Sequence, residues 1–80
     1  MTTLLRLPSV IERTGLGRTA IYDRVKAGLL PTPIKQGARV SVWPANEIDA
    51  CNDAVIRGLS DDERRALVVR MCAERAAAKV

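Results

Sequence analysis

Val10 and Ile11 form an apolar face, with Glu12 and Arg13 outside, and predict a short helix of about two turns. Leu4 and Leu5 lead into it, and Pro8 suits its first turn, where a missing N–H would be unpaired anyway. Thr14-Gly15-Leu16-Gly17 interrupts, because two glycines in three residues end one helix and begin another. Ile21, Val25 and Leu29 then recur at helical spacing and predict a second helix from about Arg18 to Ala27. Gly28 stops it, and Leu29-Leu30-Pro31 leaves in extended form.

After that the period shortens. Ile34, Val40 and Val42 have strand character, and Gln36-Gly37-Ala38 supplies a turn, so a small β-hairpin is expected over Pro33–Trp43. Val40 and Val42 share one face of it, Arg39, Ser41 and Trp43 the other, with Lys35 and Arg39 near the tip. Pro44 opens a third helix to about Arg57, with Ile48, Cys51 and Val55 as its inner stripe and Gly58 as its stop. Ser60-Asp61-Asp62-Glu63 reads as a capping box, and the fourth helix should run to about Ala78. The expected fold is mainly α: a winged helix-turn-helix with a two-stranded β-hairpin wing and an extra C-terminal helix. Residues 1–58 make the winged helix and 59–80 the added helix.

Composition narrows the function. The chain has 80 residues, 48% of them apolar, but its aromatics are Tyr22 and Trp43 alone. Its core must come from Leu, Ile, Val and Ala, and it has little room for a deep substrate pocket. Histidine is absent, which removes the usual general base and the commonest metal ligand. No Ser or Cys has a visible base partner, so an enzyme is not expected, nor a cofactor or small-molecule substrate. Cys51 and Cys72 form no CxxC pair, and a zinc site would lack ligands. A disulfide between them is one reading; two small apolar core thiols in a reducing cytoplasm is the one favoured here. No segment approaches the length of a membrane span, so no membrane partner is expected.

Charge is unevenly spread within the net +4. Residues 1–42 hold seven cations (Arg6, Arg13, Arg18, Arg24, Lys26, Lys35, Arg39) and two anions (Glu12, Asp23), a net of +5. Residues 43–80 hold six cations and seven anions, a net of −1. A basic half joined to a near-neutral half suggests a face for a polyanion, most often nucleic acid.

A set of residues also resembles a known family. Leu7-Pro8-Ser9-Val10, Glu12-Arg13-Thr14-Gly15-Leu16, Arg18, Ile21-Tyr22, Pro31, Pro33-Ile34-Lys35, Gly37, Arg39, Trp43 and Glu47-Ile48-Asp49-Ala50 look like the AlpA family of phage and mobile-element regulators. The resemblance covers about residues 4–56. It implies a winged helix-turn-helix similar to the MerR DNA-binding domain and to excisionases, and a DNA-binding regulator of transcription. Two departures stand out. Gly17 occupies a position where the family usually has Ser, so the second helix lacks a side-chain cap. Asp23 stands where a basic residue is common; it would repel phosphate, yet can accept a hydrogen bond from cytosine N4.

The expected contacts to double-stranded DNA are Arg18 and Tyr22 at base edges or phosphates, and Thr19, Asp23 and Lys26 along the same helix. Lys35 and Arg39 on the wing would meet phosphates or the minor groove. Trp43 is expected in the core. The last helix carries Leu67, Val68, Val69, Met71, Cys72, Ala73, Ala76 and Val80 around more of its circumference than one core-facing stripe needs. It either braces the domain or joins two copies as a homodimer. The apolar excess favours the homodimer, with Arg64 and Arg75 intruding on the arc. The principal reading is a sequence-specific transcriptional regulator; the alternatives are an excisionase or a protein-binding antirepressor module. Steep salt dependence of DNA binding would separate the antirepressor from the others.

Overall fold

A computed structural model describes residues 3–77. In chain order it has β1 (Leu4–Arg6), α1 (Leu7–Thr14), α2 (Arg18–Ala27), β2 (Ile34–Gly37), β3 (Val40–Pro44), α3 (Ala45–Ile56) and α4 (Asp61–Ala77). This is the expected mainly helical fold with a β-hairpin and an added C-terminal helix. Ala78 and Val80, assigned from sequence to the end of the last helix, lie outside the described residues, as does the side chain of Ala76.

The turn between α1 and α2 is built by Thr14 and Gly15. Gly15 adopts φ 72°, a left-handed conformation that L side chains avoid, and its N–H donates to Ile11 O. The Thr14 hydroxyl donates to Val10 O at 2.7 Å and accepts from the Leu16 N–H at 3.3 Å. The chain therefore reverses within three residues and lays α2 across α1.

One strand was not expected. Leu4–Arg6 pairs antiparallel with β3, matching Leu5 to Trp43, so β3 is the middle of a three-stranded sheet of order β1-β3-β2. Three residues are too few to display a period of two, and the partner strand lies far along the chain. The hairpin turn is also displaced: strand β2 runs through Gly37, which pairs with Val40, and Ala38 and Arg39 make the turn. The register slips between Lys35 and Gly37, which takes Gln36 out of the pairing.

Trp43, Ile21, Ile48, Val10 and Val42 are the largest fully buried side chains apart from Pro31. Trp43 satisfies its one polar atom by donating Nε1–H to Pro31 O at 2.9 Å. On α3, Ile48 and Cys51 face inward as expected, but Val55 is 55% exposed and Ala54 is buried instead. The buried residues of α3 are Ala45, Glu47, Ile48, Cys51 and Ala54, and α4 lies along the side that carries Glu47, bringing Arg75 onto it.

The capping box forms at the start of α4. Ser60 N–H donates to Glu63 Oε1 at 3.1 Å, and Glu63 N–H donates to Ser60 Oγ at 3.2 Å. These bonds hold the Glu63 carboxyl below the usual carboxylate range. Part of the apolar arc of α4 is taken up by the domain's own core, while Val69 stays exposed. Val68 and Met71 are buried in the same cluster as Leu5, Val10, Ile21 and Trp43, while Leu67 and Cys72 pack at its edge. Arg64 and Arg75, expected as obstacles on that arc, are ion-paired to Asp61 and Glu47. Cys51 and Cys72 are both free thiols, and burial pushes Cys51 up to about 11.

Candidate nucleic-acid interface

The face of α2 turned from the core follows from its pattern. Ile21 is buried and Val25 half-buried, which turns Thr19, Tyr22, Asp23 and Lys26 outward at spacings of three and four. All four are exposed, as is Arg18 in the first turn. Gly17 occupies the N-cap at φ −77° and ψ 171°, and no side chain caps the first N–H groups. Small and polar side chains on a convex helix allow close approach to a groove about 12 Å wide.

Tyr22 links this helix to the wing. The residue is 41% exposed, and its ring lies 6.3 Å from the buried Trp43 ring, tilted by 57°. Trp43 thus belongs to the core, as expected, and supports an exposed aromatic on the outer face of α2. On the wing, Lys35 donates from Nζ to Ser41 Oγ at 3.0 Å, and Arg39 stands at the turn. Both remain exposed.

The distribution of ion pairs separates two kinds of cation. Among the described residues, Arg6, Arg18, Arg24, Lys26, Lys35 and Arg39 form no ion pair, whereas Arg13 meets Asp49 at 3.0 Å. In the second half, Arg57, Arg64, Arg65 and Arg75 are each paired with a carboxylate. The exposed ones among these pairs add little stability, but every pair neutralises the field locally. Among the described residues Arg70 is the one unpaired cation beyond the wing, so most of the uncompensated positive charge lies on α2, the wing and β1.

Three residues outside the expected set shape this face. Arg6 is an exposed cation on β1, opposite Val42 of β3. Asn52 Nδ2 donates to Arg13 O at 3.0 Å, at the end of α1. Arg65 Nε donates to Ala27 O at 2.8 Å, at the end of α2. The basic half of the sequence signalled Arg6; nothing local signalled Asn52 or Arg65, whose partners lie 39 and 38 residues away.

Among the described residues no group of three or more His, Cys, Asp or Glu is placed to hold a metal ion. None of the described helices is long and apolar enough to cross a membrane. The family model described as "Prophage CP4-57 regulatory protein (AlpA)" matches residues 3–51. No curated protein and no solved structure matches the chain.

Proposed function

The chain belongs to the AlpA family of prophage regulatory proteins, and from that premise we propose that it is a sequence-specific, DNA-binding regulator of transcription acting for a phage or mobile element. The observation that carries this reading is the segregation of charge. Among the described residues the cations of α2 and the wing have no carboxylate partner, and all but the half-buried Arg24 are exposed, while those from Arg57 onward are mostly paired. In this proposal α2 enters the major groove, with Arg18 and Tyr22 at base edges or phosphates. Thr19 and Lys26 contact the same groove, and Asp23 accepts from a cytosine N4. Lys35 and Arg39 hold the flanking backbone. The proposal includes two copies on one site, since a single small module covers only about 600–1,000 Å² of protein surface.

Selection of bound duplexes from a random pool, followed by titrations at several salt concentrations, tests the reading. Arg18→Ala should cost about 1–3 kcal/mol on the selected site and relax preference at one base pair. Arg39→Ala should weaken all sequences alike and lower the salt slope by about one. Identical behaviour of the two variants would refute this division of roles. Absence of affinity for any duplex at low salt would refute DNA binding itself.

A further inference from the structure

The carbonyl ends of both helices in the helix-turn-helix are held by side chains from later in the chain: Asn52 of α3 at α1, and Arg65 of α4 at α2. The second of these bears on recognition. Gly28, at φ 80°, turns the chain out of α2, and its own N–H is shared between Arg24 O and Val25 O. The Leu29 and Leu30 N–H groups both go to Arg24 O, which leaves Ala27 O to be taken by Arg65 Nε. The Arg65 stem also lies over Gly28, with Cγ 3.6 Å from where a Cβ would stand. The remaining side of the guanidinium is held by Asp62 at 3.3 Å, in the first turn that Ser60 and Glu63 cap.

We propose that α4 clamps the recognition helix and that Arg65 is a positioning residue for base reading, an inference that rests on the DNA-binding function proposed above. A guanidinium at the carbonyl end of a helix complements its dipole, and a charged donor makes the bond stronger than a neutral one. Lys26, on the outward stripe of α2, lies next to the clamped residue, so the clasp sits at the end of the reading surface. Base-edge contacts demand placement to within about 0.5 Å, whereas phosphate contacts tolerate small rotations of the helix. Asp62 and Arg65 both lie beyond the segment matched to the family, which ends at residue 51. The clamp is thus supplied by the part of the chain outside that match.

The test uses the full chain with Arg65→Met, which keeps an aliphatic stem over Gly28, and with Arg65→Lys, which keeps a charge and a donor. Affinity is measured for the duplex selected by the unmutated protein and for mixed-sequence duplex, over a range of salt, with circular dichroism confirming that each variant is folded. Arg65→Met should lose about threefold to tenfold on the selected duplex, the worth of one net hydrogen bond, with mixed-sequence affinity and salt slope unchanged. Arg65→Lys should recover part of the loss. Equal losses on both duplexes with a shallower salt slope would make Arg65 a phosphate contact and overturn the inference. No change on either duplex would overturn it as well. If the unmutated protein binds neither duplex, the DNA-binding reading falls first and takes this inference with it.

Discussion

Removing the Arg75 guanidinium tests whether α4 is an integral part of the domain. Glu47 is only 7% exposed and has Arg75 on both carboxylate oxygens, with Nε donating to Oε2 at 3.1 Å and a terminal nitrogen donating to Oε1. Arg75→Met would leave that carboxylate shielded from water with its partner gone. Breaking a fully buried pair costs about 3–5 kcal/mol, and the partial exposure of Arg75 reduces this to about 2–3 kcal/mol. The total available is small, since a domain of this length is stable by roughly 4–12 kcal/mol. The change should lower the melting temperature by roughly 10–20 °C, at about 4–8 °C per kcal/mol. Replacing both partners, Glu47→Leu with Arg75→Met, removes the charge together with its need for solvation and should return to within about 1 kcal/mol of the unmutated protein. Thermal and urea unfolding followed by circular dichroism measure the two single variants, Arg75→Met and Glu47→Leu, and the double variant. A loss below about 0.5 kcal/mol for Arg75→Met, or a double variant as unstable as the sum of the singles, would show that α4 does not dock on α3 through this pair.

Two further outcomes are expected. Gly17→Ser should stabilise the protein by about 0.5–1.5 kcal/mol in urea unfolding, through a new cap and a less flexible unfolded chain. The site allows it, because Gly17 has ordinary extended backbone and nothing stands within 4 Å of an added Cβ; destabilisation would show that the start of α2 is not free to be capped. Iodoacetamide at pH 8 should modify Cys72 before Cys51, because the Cys51 thiol is buried and its pKa raised to about 11. The stability tied to that raised value is present below the ordinary thiol range and fades as pH climbs through it towards about 11; the opposite order of alkylation would contradict the burial of Cys51.

Much of the fold was legible because its signals are local. The glycines that end α1, α2 and α3, the helical spacing of Ile21 and Val25, and the Ser60–Glu63 capping box are each written within a few residues. So is the outward stripe of Thr19, Tyr22, Asp23 and Lys26, since fixing the buried side of a helix fixes its opposite side. What the sequence could not decide was pairing across distance. Strand β1 exists because β3 offers it an edge, and three residues carry no period of their own. Val55 matched the inner stripe of α3 as well as Ala54 did on apolar character, and only the docking of α4 selected the row that contains Glu47. Which part of the apolar excess of α4 the domain's own core takes up, Val68 and Met71 rather than Val69, also depends on that docking. Helix periodicity states that a side is buried, whereas the identity of what buries it, like the reach of Arg65 to Ala27 and Arg75 to Glu47, is settled by the arrangement of elements far apart in the chain.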